Sequence, residues 1–303
     1  MYQVLHPSTS RFEPVRGLSY HVRQWGSATG KPLVLAHGWM DVAASWQFMV
    51  DAFTPAFLAA HCVVAFDWRG FGLTRRPGAT DCYWFPDYLA DLDALLDSLF
   101  PETAIDLVGH SMGGNVVMMF AGARPERIRR LVNLEGFGMA ATRASQAPAR
   151  MTQWLDELRA QRIEKQELKP YPDLDAVAAR LMKTNHRLPR DKADWLARHW
   201  AEPGADGQWH ILGDAAHKVV NPYLFRVEET LALYSRIAAP VLAVQASDDS
   251  LSHWWKGRYT LQEYHERLKS VPAVQTATLE DTGHMLHHDQ PLALAALLEG
   301  FLA

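Results

Sequence analysis

Between residues 105 and 123 the sequence passes from a buried strand to a helix through five residues, and no other feature narrows the choice of fold so far. Ile105-Asp106-Leu107-Val108 is a short apolar run of strand length, and residues 115–123 read as helical. The link between them is Gly109-His110-Ser111-Met112-Gly113, followed by Gly114. Small residues at 109 and 113 let the chain reverse tightly, which holds Ser111 in a strained turn with its hydroxyl projecting above the end of a sheet. The helix that starts there directs its N-terminal dipole and free N–H groups, including that of Met112, toward the same point, where they favour negative charge. A strand feeding a helix in this way belongs to βα units and a mostly parallel sheet.

The flanking sequence repeats the pattern. Residues 20–25 alternate, and 33–36, 63–66 and 131–134 are short apolar runs, as expected of strands buried on both faces. Residues 87–99 read as an amphipathic helix, with Leu89, Leu92, Leu95, Leu96 and Leu99 at helical spacing. After Gly136 the texture changes to Trp154, Trp195, Trp200 and Trp209 set among Ala, Arg and Glu, and cut by prolines. Alternation returns with strands at 240–244 and 274–279 and helices at 257–268 and 292–302. A length of 303 residues suits one core carrying an insertion. The expected division is a core of residues 1–136 and 240–303 with a helical cap, or lid, of residues 137–239.

Composition excludes several classes. A formal charge of −4 provides no basic field to gather nucleic acid. Polar residues interrupt each apolar run before the roughly 18 positions that a membrane span needs, and residues 1–17 lack the apolar core of a signal peptide. Cys62 and Cys82 are the two cysteines; they support no disulfide framework, and a reducing cytoplasm is the simpler setting. The expectation is a cytoplasmic protein with a small-molecule substrate, without membrane or nucleic-acid partners, and with a homo-oligomer left open.

The chain resembles the α/β-hydrolase superfamily from about Gly17 to Leu302, through several separated motifs. Beside G-x-S-x-G there is His37-Gly38-Trp39, similar to the family's H-G loop, and Asp67-Trp68-Arg69-Gly70-Phe71-Gly72, similar to its D-x-R-G-x-G turn. The stretches around residues 37–41 and 66–67 look closest to capped esterases and serine hydrolase-like proteins. The resemblance implies Ser111 as nucleophile and, in Thr282-Gly283-His284-Met285, His284 as general base. It also implies an oxyanion hole of the Trp39 and Met112 N–H groups. For the third member, Asp248 in Gln245-Ala246-Ser247-Asp248 resembles the family's G-x-x-D with glutamine replacing glycine. Glu135, at the end of the strand after the Ser111 helix, and the adjacent Asp249 are the alternatives. The serine at the turn departs from epoxide hydrolases and haloalkane dehalogenases, which place an aspartate there.

His37, His110 and Phe137 are expected to shape a substrate pocket. Together with Trp39, Trp46 and the insertion's tryptophans they suggest apolar or aromatic acyl groups, although such aromatics can equally pack cap against core. The H-x-x-H-H run of His284, His287 and His288 lacks ligands at a zinc-binding spacing, so no metal and no cofactor is expected. The implied chemistry is hydrolysis of carboxylic esters through an acyl-enzyme; carbon–carbon bond hydrolysis by the same triad and a non-catalytic binding protein are the alternatives.

Overall fold

The computed structural model describes residues 2–74, 78, 80–164 and 167–303. Eight strands form one sheet: β1 (Thr9–Val15), β2 (Leu18–Gly26), β3 (Lys31–Ala36), β4 (His61–Phe66), β5 (Ile105–His110), β6 (Ile128–Leu134), β9 (Val241–Ala246) and β10 (Val274–Leu279). A hairpin of β7 (Ala201–Pro203) and β8 (Trp209–Ile211) lies within the insertion. The sheet order is β1-β2-β4-β3-β5-β6-β9-β10. β1 and β2 are antiparallel to their neighbours, and from β4 through β10 every pairing is parallel. This is the α/β-hydrolase arrangement that the sequence implied.

Burial explains why the central strands were legible: β4 and β5 are buried at every position, between two apolar layers. On one face Val34, Val64, Leu107 and Leu131 pack with Leu92, Leu96, Val117 and Phe120. On the other Leu33, Leu35, Val63, Val108 and Val132 pack with Trp46, Met49, Leu294 and Leu298. The helices Phe85–Leu99, Met112–Ala123 and Pro291–Leu302 cover these faces. The edge strand β1 was not foreseen, because Thr-Ser-Arg-Phe-Glu-Pro-Val is exposed at its first four positions and carries Pro14, which only an edge tolerates.

Between β6 and β9 the chain forms the helices Ala147–Glu164, Leu174–Thr184, Arg190–Trp200 and Val227–Tyr234 besides the β7–β8 hairpin. Val177, Leu181, Leu188, Leu196 and Trp200 make a third apolar cluster, closed by Val42, Ala44 and Phe48 from the segment after β3. Trp195 meets Phe48 at 5.6 Å and Tyr2 at 5.5 Å, so this tryptophan fastens the insertion to the core. A short 3₁₀ turn, Ala215–Lys218, is capped by the Asp214 carboxylate.

Candidate active site

Ser111 stands between the last residue of β5 and the first of the helix Met112–Ala123, at φ 53° and ψ −115°, a conformation strained for any side chain. Its neighbours leave no alternative path. A Cβ on Gly109 would fall 2.5 Å from the Gly113 carbonyl oxygen, and one on Gly113 would fall 2.4 Å from that of Ala36. The Met112 N–H lies in the first helical turn, without an intrahelical acceptor. Gly38 lies directly against the nucleophile turn, since a Cβ there would come within 3.2 Å of the Ser111 Cβ. Trp39, next in the chain, is half exposed.

His37 is fully buried and holds this loop in place, rather than lining a pocket as expected. Its Nδ1 donates to the Gly38 carbonyl at 2.7 Å, and its Nε2 accepts the Trp68 N–H at 2.9 Å. Burial lowers its imidazole to about 4, so it is neutral. The D-x-R-G-x-G turn is held by its own polar side chains. Asp67 accepts from the N–H groups of Ala43 and Leu73 and pairs with His21, while Arg69 pairs with the buried Asp91.

His284 lies in the turn between β10 and the short helix Leu286–Asp289. Its Nδ1 faces the Glu135 Oε2 at 3.2 Å. The preference for Asp248 is therefore corrected: Asp248 is half exposed and pairs instead with Arg187, at 2.6 and 3.2 Å. The Arg187 guanidinium holds its carboxyl below the usual range. Asp249 turns the other way and caps the helix Ser250–Trp255 through the Ser252 N–H.

Glu135 is almost wholly buried and sits at φ 56°, directly after β6. Asn133 stabilises this unusual turn, its side chain accepting the Gly136 N–H at 2.9 Å and donating to the Gly136 carbonyl at 2.8 Å. The Ala246 N–H donates to Glu135 Oε1 at 2.7 Å, leaving the other oxygen for His284. Burial pushes the Glu135 carboxyl up to about 7, and burial pushes His284 down to about 3. A resting neutral imidazole is the form that can accept a proton.

His110 links the two halves of the site. Its Nε2 donates to the His284 backbone carbonyl at 2.7 Å, so the residue before Ser111 holds the turn that carries His284. His110 is buried, and this replaces the expected pocket role. Phe137 is likewise a core residue, packed edge-on against Tyr264 at 4.9 Å. Trp254 was missed: its ring stands edge-on to His284 at 4.3 Å and is 46% exposed. The adjacent pair Trp254-Trp255, beside charged residues and past a strand, was the available signal. Trp46, expected near substrate, is fully buried and packs on His287. His287 and His288 do not group with the His284 ring as ligands; both share the buried Ser45 hydroxyl.

A cavity of about 550 Å³ is bounded by Gly70, Tyr83, His210, Leu212 and Asp214. Ser111 and His284 are outside its lining.

The model of the family described as alpha/beta hydrolase fold matches residues 31–291. The chain is 26% identical over 282 residues to a serine hydrolase-like protein of Danio rerio, covering 92% of this chain and 83% of the relative. Among solved structures, a hypothetical protein from Pseudomonas aeruginosa PAO1 superposes with a TM-score of 0.83 at 26% identity, over 97% of this chain and 99% of that one. The thioesterase domain from a curacin biosynthetic pathway shares the fold, with a TM-score of 0.82 at 23% identity over 97% and 99%.

Proposed function

This chain belongs to the α/β-hydrolase family, and from that premise we propose that it hydrolyses carboxylic esters with Ser111 as nucleophile, His284 as general base and Glu135 as the acid that orients His284. Membership of the family supports hydrolase activity; the nucleophile, the acyl-enzyme and the substrate class are the further reading. The observation that carries it is the pairing of the His284 Nδ1 with a buried carboxylate, while the residue before Ser111 holds the His284 backbone.

In this mechanism the His284 Nε2 takes the Ser111 proton as the oxygen attacks the ester carbonyl. Glu135 keeps the proton of His284 on Nδ1 and stabilises the imidazolium that forms. The N–H groups of Met112 and Trp39 receive the developing oxyanion. His284 then returns its proton to the leaving alcohol, and a water activated by the same imidazole releases the acid. Trp39, attached to the glycine that abuts Ser111, and Trp254, in contact with His284, are each about half exposed. They suit an apolar or aromatic acyl group. The helix-bearing insertion of residues 137–239 is read as a cap, joined to the Asp248 loop by Arg187.

A pre-steady-state assay with p-nitrophenyl esters of increasing acyl length tests this. The expected result is a burst of one equivalent of nitrophenol, absent in Ser111→Ala. Turnover retained in that variant would contradict the acyl-enzyme.

A further inference from the structure

Behind the reacting atoms lies a buried group of side chains that take no part in the proton transfers. Asp41, His110 and His287 are each more than nine-tenths buried, and they bring one donor atom apiece to within 4.8 Å of one another. The Asp41 Oδ2 and the Nδ1 atoms of His110 and His287 are buried without a hydrogen-bond partner. Unsatisfied buried atoms of this kind are rare, and each residue of the cluster carries one, which calls for an occupant.

The chemistry of the lone pairs narrows that occupant. The His110 Nε2 faces a carbonyl oxygen and must carry the proton, so its Nδ1 offers a bare lone pair. The Asp41 Oδ1 already accepts the Val42 N–H, and its Oδ2 lies 3.9 Å from the His287 Nε2. The Ser45 hydroxyl is shared between the Nε2 atoms of His287 and His288, at 3.0 and 2.6 Å. With one hydrogen to give, it sets the tautomer of the pair, as the outer partners of metal-bound imidazoles do. Two imidazoles and one carboxylate, each with a ligand atom within 4.8 Å of the others, are a ligand set for a divalent transition metal.

We propose that Asp41, His110 and His287 form a binding site for a divalent transition-metal cation of the zinc class, distinct from the reacting groups. The three ligands come from the loop after β3, the end of β5 and the helix after His284. A cation there ties together the segments that carry Trp39, Ser111 and His284. It supplies no step of ester hydrolysis, so its binding is separable from the triad reading.

The test is equilibrium dialysis of the untagged full-length protein against Zn²⁺, over days because the site is buried, with Co²⁺ as a spectroscopic probe. The expected result is one retained equivalent of Zn²⁺ and visible absorption bands of low-symmetry Co²⁺. Both should be lost in Asp41→Asn and His287→Gln and kept in Asp206→Asn, which disables the exposed Asp206–His210 pair. Thermal melting follows the same cation, with a rise of roughly 5 °C at a hundredfold excess over Kd. Circular dichroism establishes that the variants fold; should neither fold, the wild-type Co²⁺ spectrum decides alone. Absence of a retained equivalent, absence of Co²⁺ bands, or equal retention in folded variants overturns the proposal, and a bound water then fills the site.

Discussion

Replacing Glu135 by glutamine should weaken the enzyme and strengthen the fold at once. Burial raises this carboxyl from its ordinary 4.5 to about 7. The folded state therefore binds protons more tightly than the unfolded chain. The stability this gives is fully present below pH 4.5 and is lost as pH rises through 7. At 1.36 kcal/mol per pH unit, the ionised side chain opposes folding by about 3 kcal/mol at pH 7 and above. An amide of the same shape carries no such charge and can still accept the Ala246 N–H through its oxygen. Glu135→Gln should thus melt several degrees higher at pH 8, with the gain shrinking toward pH 4. Its kcat should fall by orders of magnitude, about 10⁴ being the precedent for the analogous aspartate-to-asparagine change in a serine protease. The acid limb of kcat/KM should also move. In the wild type the Glu135–His284 pair takes up its first proton as a unit near 7, whereas in the variant only His284 titrates, depressed by burial toward about 3. Scanning calorimetry at pH 4, 6 and 8 and a pH–rate profile measure all three effects. A variant that melts lower at pH 8 and keeps both its rate and its acid limb would refute the reasoning.

Asp248→Asn should change kcat little, because that carboxylate serves Arg187 in an exposed pair whose contribution to stability is small; steady-state kinetics beside Glu135→Gln give the ranking. His110→Ala should lower kcat by roughly 10²-fold with a smaller change in KM, because a displaced His284 turn misplaces the base; the kcat and KM split reports this. Prolonged dialysis against EDTA should leave ester hydrolysis intact, since the proposed steps use protein groups throughout; loss of activity restored by Zn²⁺ would contradict that scheme.

The parallel sheet was legible because its strands are buried on both faces, so their short apolar runs stand out between helical stretches. The insertion's hairpin was not, since β7 and β8 have three residues each and partly exposed side chains. Within the site, the Ser111 turn could be read because its glycines answer to a local steric demand. The carboxylate that pairs with His284 could not be ranked first, because it depends on which of three carboxylates turns inward. Asp248 had the familiar sequence offset from a strand, but Arg187, 61 residues earlier, draws it outward. Glu135 is turned inward by a left-handed backbone and by the Asn133 side chain, a feature visible only once β6 and β9 are paired. His110 and Phe137 fit a pocket by position in the chain, yet their side chains enter the core beneath it. Trp254 reaches His284 through the fold rather than through sequence proximity.

The central claim is that Ser111 is an activated nucleophile, and covalent labelling tests it most directly. The folded protein is treated with a fluorophosphonate, digested and mapped by mass spectrometry, with Glu135→Gln run in parallel. The account predicts one phosphonate per chain, on the peptide containing Ser111, formed much more slowly in the variant. Labelling of a different serine, or an unlabelled Ser111 in protein that hydrolyses esters, would contradict it.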